Sequence, residues 1–292
     1  MFVHMDKGVI TPGGNEPPTE KGTYENVDVL VEGMNGVSGN LEGNESLDFD
    51  EKIFATDVAR FSFGLLKKCN EEDDNILVSP LSIMQALGMT ANGASGETME
   101  QMEKLLSEEL NLDLINKMYK QYVNEITSDE AIKLAVANSI WINNNVGFTV
   151  NQEFATKCLS YYDAKMYSAP FNMDTVNSIN QWVSDNTDAM IDKIIDRFSG
   201  DEMMVIINAI VFDAEWERIY YDDQVRNTPF YGIKGTDDVE GMYSEEKYYL
   251  EDDNTTGFIK DYKGGFRFVA LLPDEDGTGF YAGAGGFYPN VR

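Results

Sequence analysis
The run Met203-Met204-Val205-Ile206-Ile207-Asn208-Ala209-Ile210-Val211-Phe212 is apolar on both of its alternating faces. A strand that buries both faces needs layers above and below it, which only a large sheet inside a multilayered domain provides. Asn208 is the one polar residue in the run. Its carboxamide must find hydrogen-bond partners in the interior, or it costs about 1–3 kcal/mol.

The chain has 292 residues, enough for one large domain or two small ones. Folded patterning begins at Phe54, where Phe54, Val58, Phe61 and Leu65 predict a helix that ends before Glu71-Glu72-Asp73-Asp74. That acidic run lacks EF-hand spacing and reads as a charged surface loop. Next, Asn75-Ile76-Leu77-Val78 predicts a short strand running into a helix, with Ser79 as N-cap and Pro80 at the first helical position. Ile83, Met84, Leu87 and Ala91 form its buried stripe, and Gly93 is placed to end it in a left-handed conformation. Met99, Met102, Leu105 and Leu106 predict a further helix whose methionines pack the core.

A weaker helix is expected over residues 115–126, then a strand over 134–142 closed by Asn143-Asn144-Asn145. Asn151 is a fit N-cap for a helix carrying Phe154, Cys158, Leu159 and Tyr162. Asn177 is read the same way before Ile179, Trp182, Val183 and Met190, with a strand over 164–171 in between. Beyond residue 212 the chain reads as β-rich over 239–242, 248–250, 256–261 and 266–272, with Lys263-Gly264-Gly265 as a hairpin turn. Helices first, a mixed succession next and hairpins last is an α+β order without βαβ rhythm.

Composition removes several function classes. Acidic residues number 51 against 22 basic ones, a net charge of −29. That balance argues against binding a nucleic-acid backbone or an anionic lipid surface. The lone histidine, His4, lies in a leader without a folding pattern. Ser-His-Asp and Cys-His sites, and zinc sites built from several histidines, are therefore excluded as readings. There is no glycine-rich phosphate loop and no metal-ligand spacing, so no cofactor or metal is expected; Asp274-Glu275-Asp276-Gly277 reads as a turn. Nothing approaches the run of about 18 apolar residues a membrane span requires. The start, Met1-Phe2-Val3-His4-Met5-Asp6, does not have the pattern of a signal peptide. Cys69 and Cys158 lack CxxC spacing and read either as two buried thiols or as one bridge. Asn44-Glu45-Ser46 and Asn254-Thr255-Thr256 match the glycosylation pattern at the rate chance allows.

Residues 1–52 hold eight glycines, three prolines and eleven acidic residues against three lysines. They read as a disordered acidic leader, because so few apolar groups cannot offset the entropy of ordering. The folded part is expected over 53–292.

Several segments, in order, carry a family resemblance. Asn75-Ile76-Leu77-Val78-Ser79-Pro80-Leu81-Ser82-Ile83 resembles the serpin signature at the opening of the second helix, and Gly93-Ala94-Ser95-Gly96-Glu97-Thr98 the turn after it. Asn138-Ser139-Ile140-Trp141 resembles the second strand of the family's large sheet. Val205-Ile206-Ile207-Asn208-Ala209-Ile210-Val211-Phe212-Asp213-Ala214-Glu215-Trp216-Glu217 resembles the third. Phe268-Val269-Ala270-Leu271-Leu272-Pro273-Asp274-Glu275 is similar to a barrel-strand exit. On these segments the chain is identified as a bacterial-type member of the serpin family, the serine protease inhibitors.

The resemblance implies an α+β serpin-like fold, with helices packed around a large mixed β-sheet and a β-barrel region. It implies no catalytic residue, because serpins are suicide substrates of serine and in some cases cysteine proteases. Ser79, Ser82 and Asn208 would sit in the shutter, the polar cluster beneath the sheet, and Trp216 at the breach, where loop insertion begins. In the family the hinge, the reactive loop and the last strands follow the Leu-Leu-Pro-Asp-Glu region. Here residues 277–289 resemble the tail of an interrupted reading frame. The expectation is therefore a serpin domain with its C-terminal portion missing, no assignable scissile bond and no inhibitory complex. The other reading is a non-inhibitory binding module or a non-functional fragment, a monomer or an aggregation-prone species. An extracellular or cell-surface location follows from the resemblance alone.

Overall fold
The structure, a computed structural model, describes residues 2–3, 24, 27–30, 51–69, 76–128, 132–232 and 235–273. His4, the acidic run at 71–74, Asn75 and the segment from 274 onward lie outside the described residues. The chain divides into two compact units, Met1–Asp129 with Lys133–Asp213, and Glu130–Ile132 with Ala214–Arg292.

In the first unit the strands are β1 (Phe2–Val3), β2 (Asp28–Val29), β3 (Lys133–Asn143), β4 (Lys165–Ala169) and β5 (Met204–Asp213). Its helices are α1 (Glu51–Cys69), α2 (Pro80–Ala91), α3 (Gly96–Leu106), α4 (Leu112–Ile126), α5 (Gln152–Tyr162) and α6 (Met173–Asn186). The strands form one mixed sheet in the order β1-β5-β3-β4-β2. β3 runs antiparallel to β5 from Lys133↔Asp213 to Ile142↔Met204, and parallel to β4. β1 pairs with β5 at Val211 and Phe212 only.

Both faces of this sheet are covered, as the apolar run at 203–212 requires. Ile140, Ile142, Met166 and Ile206 join the core of α1 to α5, with Phe54, Met84, Met89 and Tyr119. Their neighbours in sequence, Trp141, Tyr167, Val205 and Ile207, point the other way, to Ile179, Trp182 and Val183 of α6. Alternate side chains of a strand leave on opposite faces, so two cores divide one set of strands between them.

The second unit contains β6 (Val225–Gly232), β7 (Gly235–Met242), β8 (Tyr248–Glu251), β9 (Thr255–Asp261) and β10 (Arg267–Pro273). β6 and β7 form a hairpin, and the others an antiparallel sheet in the order β10-β9-β8. Among the described residues these two small sheets stand where a barrel region was expected. The turn before β10 holds Gly264 and Gly265 at φ 79° and 80°, the left-handed backbone that suits glycine.

Several local expectations are corrected. Residues 76–78 are not a strand; Leu77 is exposed, and no described strand pairs with them. Gly93 is not left-handed. α2 closes on Asn92, and a Cβ at Gly93 would stand 3.1 Å from the Phe154 ring, so close approach explains the glycine. α6 starts at Asn172 rather than Asn177, because Asn172 Oδ1 accepts from the Thr175 N–H at 3.0 Å. α3 buries Leu106 but leaves Leu105 exposed and its methionines half-buried. Both cysteines are free, which removes the bridge, and Cys69 is exposed while Cys158 is buried. The leader also has structure in it: β2 and Tyr24 lie within residues read as a disordered tail.

Candidate functional site
Ser79 sets up the site by starting α2. Its hydroxyl accepts from the Ser82 N–H at 3.3 Å, and Pro80 follows at the first helical position, where a missing N–H costs nothing. That start places Ser82 and Gln85, three residues apart, on the same helical face toward the sheet. Above them Asn138 of β3 and Asn208 of β5 are direct cross-strand partners.

The four side chains bond as a cluster. Asn208 Nδ2 donates to Asn138 Oδ1 at 2.7 Å and to Gln85 Oε1 at 3.3 Å. Ser82 Oγ donates to Asn208 Oδ1. Asn138 Nδ2 donates to Gln85 Oε1 at 2.9 Å and to the Tyr162 carbonyl at 2.7 Å. The carboxamide of Asn208 is thus satisfied at both ends, as its place in an apolar strand demands. The structure thus brings Ser82 and Asn208 together by a direct hydrogen bond. Ser79 is buried nearby but serves as the helix cap, and Asn208 is not among its hydrogen-bond partners.

A second polar layer lies behind the first. Asn92 and Asn116 exchange two hydrogen bonds, each 2.9 Å, and Tyr162 donates its phenol proton to Asn116 Oδ1 at 2.7 Å. Burial pushes the Tyr162 phenol well above its ordinary range, and it pushes the Cys158 thiol up to about 12. Every group in these layers is neutral near pH 7. Neutral amides and hydroxyls can hold a strand in place, and the hydrogen bonds of Ser82, Gln85, Asn138 and Asn208 described above bring no carboxylate or imidazole to activate a hydroxyl.

Trp216 belongs to the second unit. It bridges to Tyr262 and stacks on it, with centroids 4.1 Å apart and planes at 11°. Phe268 meets it edge-on at 5.7 Å. Lys260, 3% exposed, lies 5.4 Å from the Trp216 ring and 4.4 Å from that of Tyr220, and its Nζ donates to Glu246 Oε1 at 2.6 Å. Burial raises the Glu246 carboxyl, but hydrogen bonds from Lys260 and Ser244, with the Lys260 charge, outweigh it and hold the group below its ordinary value.

Gln85 and Asn138 are the site residues that sequence reading missed. Asn138 interrupts an apolar strand just as Asn208 does, so the same signal was present. Gln85 is marked only by its spacing from Ser82. Among the described residues no cluster of three or more His, Cys, Asp or Glu could hold a metal ion. No described helix is long and apolar enough to cross a membrane.

Comparison with known proteins adds an independent line. The sequence model of the family described as Serpin (serine protease inhibitor) matches residues 56–282. An uncharacterized serpin-like protein of Methanosarcina acetivorans is 29% identical over 236 residues, 78% of this chain and 55% of its own length. The leukocyte elastase inhibitor of Equus caballus is 28% identical, covering 76% of this chain and 61% of itself. Among solved structures, the thermophilic serpin tengpin in its latent state superposes with a TM-score of 0.75 and 39% identity, over 82% of this chain and 65% of that one. The chain thus spans a little over half the length of these curated relatives.

Proposed function
The chain belongs to the serpin family, and we propose that it is the strand-accepting body of a suicide-substrate inhibitor of serine proteases. Serpins are protease inhibitors and not enzymes, so the chain needs no catalytic group of its own. In this reading a protease attacks an exposed loop and forms its acyl intermediate. The cleaved loop then enters the large sheet as an added strand. A metastable fold that gains a central strand supplies the driving energy, and the protease is displaced and distorted before deacylation.

The observation that carries the reading is where the bonds of Asn208 go. Its partners lie on α2 beneath the sheet and on β3 beside it. None lies on the other flank of β5, where among the described residues 204–210 have no strand partner. α2, β3 and β5 are therefore tied into one block whose outer flank can take a new strand without breaking the cluster. Ser79, Ser82 and Asn208 are assigned to the shutter, with Gln85 and Asn138 added, and Trp216 to the breach. The protease partner is of the serine class, in some members cysteine. An extracellular or surface setting is proposed on the family resemblance alone.

A chimera tests this. Residues 1–276 would be joined to the C-terminal segment of a full-length thermophilic serpin and incubated with a chymotrypsin-like protease that the donor inhibits, beside the 292-residue chain. The chimera should give a denaturant-resistant covalent complex on a gel, and the 292-residue chain none. A complex formed by the 292-residue chain would overturn the reading of residues 277–292. A folded chimera that is only cleaved would overturn the strand-accepting role.

A further inference from the structure
The outer edge of the large sheet, beyond β4, is closed by the leader. Asp28 and Val29 pair antiparallel with Ser168 and Tyr167, and the Leu30 N–H donates to the Met166 carbonyl at 3.1 Å. Tyr24 anchors the segment. Its ring meets Trp141 of β3 edge-on, with centroids 6.0 Å apart, and Tyr167 of β4 at 5.9 Å. Its phenol donates to Asp185 Oδ2 of α6 at 3.3 Å. Val27 packs against the same cluster of Trp141, Tyr167, Ile179 and Trp182. Tyr24 and residues 27–30 therefore touch two strands and a helix, although the leader as a whole is too polar to fold alone.

An uncovered edge strand presents a row of free N–H and C=O groups, and these template pairing with another chain. Strand addition with one aromatic anchor in a pocket is also a known mode of peptide recognition, here made within one molecule. We propose that Tyr24 and residues 27–30 are an edge guard: a built-in strand ligand that keeps β4 from pairing with β4 of a second copy. A second copy is the competing partner because two antiparallel β4 edges related by a twofold axis present the same surface to each other. The charge of −29 acts with the guard, since it opposes the approach of two copies.

Hydrogen exchange and sedimentation velocity on the full 292-residue chain test the proposal, using the wild type, Tyr24→Ala, Tyr24→Phe and Leu30→Pro. Leu30→Pro deletes the donor bonded to Met166 at an exposed position, so it leaves both cores intact. In the wild type the Leu30 amide should be protected. In Tyr24→Ala and Leu30→Pro, residues 28–30 should exchange at least about tenfold faster. Both variants should also shift toward dimer with concentration, and in that dimer β4 stays protected while residues 28–30 do not. Tyr24→Phe keeps the ring contacts and should stay close to wild type. Unprotected leader amides in the wild type would overturn the proposal. So would freed leader amides without dimer, or a dimer whose β4 amides exchange freely.

Discussion
Asn208 and Asn138 face each other across the β3–β5 ladder, and Asn208 Nδ2 donates to Asn138 Oδ1 at 2.7 Å. Both also reach Gln85 Oε1, so the pair and the helix beneath form one bonded unit. Asn208→Ala strands the Ser82 hydroxyl and one end of Asn138, and Asn138→Ala strands the Tyr162 carbonyl. Each should cost about 2–3 kcal/mol. Because the two share partners, the double variant should cost clearly less than the sum. Urea midpoints for the four proteins check this; additive losses would show that the bonds act independently.

Gly88 and Gly64 should respond to alanine with opposite signs. A Cβ at Gly88 would stand 2.2 Å from the Tyr162 hydroxyl and 3.0 Å from its ring. The ring cannot retreat without breaking the bond to Asn116, so Gly88→Ala should lose about 1–3 kcal/mol. Gly64 lies in α1 with nothing within 4 Å of the added carbon. Gly64→Ala should gain about 0.5–1 kcal/mol from helix propensity alone. Thermal melts of the two variants decide it, and equal shifts of one sign would contradict the packing described for Tyr162.

The thiols should separate by reagent and by pH. At pH 8 an alkylating reagent should label Cys69 quickly and Cys158 only after unfolding. Burial raises the Cys158 thiol from its ordinary 9.0 to about 12. The unfolded chain thus releases that proton first as pH rises. Its contribution to stability is complete below pH 9 and is lost between 9 and about 12. Tyr162 and Tyr119, both raised by burial, push the same way at higher pH. Cys158→Ala should therefore flatten the first part of the alkaline decline in urea midpoint.

How much of this was legible in the sequence depends on whether a local rule had a competitor. Ser79 with Pro80, and Asn151, cap their helices as expected, because a side chain two or three residues from its target needs nothing distant. Asn177 failed because the apolar period at Ile179 and Trp182 hid a first turn made of Thr175 and Val176, which tertiary packing buries. Gly93 failed because its cause is Phe154, sixty-one residues away and invisible to a turn rule. Asn208 announced itself by interrupting an apolar run, yet Asn138 did the same and was passed over. Recognising their pairing needs the register of β3 against β5, which no local pattern encodes. The leader follows the same logic: its composition forbids an independent fold, and the edge of β4, the Trp141–Tyr167 pair and Asp185 of α6 give Tyr24 a seat.

Lys260 and Glu246 make a partly desolvated pair whose loss should depend on pH. Lys260 is buried between aromatic rings, and Glu246 retains little exposure, its side chain at 14%. Lys260→Met leaves the carboxylate beside apolar groups without its cation. At pH 7 that should cost on the order of 2 kcal/mol, less than for a fully buried pair because some solvent reaches Glu246. Glu246→Gln added to Lys260→Met should recover much of the loss, since no charge is then stranded. The sign of the pH effect follows from the depressed carboxyl. A group held below its ordinary 4.5 stabilises the fold above that pH and ceases to do so as pH falls through its folded value. The gap between wild type and Lys260→Met should therefore be full near neutrality and close on acidification below about 4.5, read from urea midpoints along a pH series. A gap that stays constant to low pH would assign the role of Lys260 to its stacking on Trp216 and Tyr220 and not to its charge.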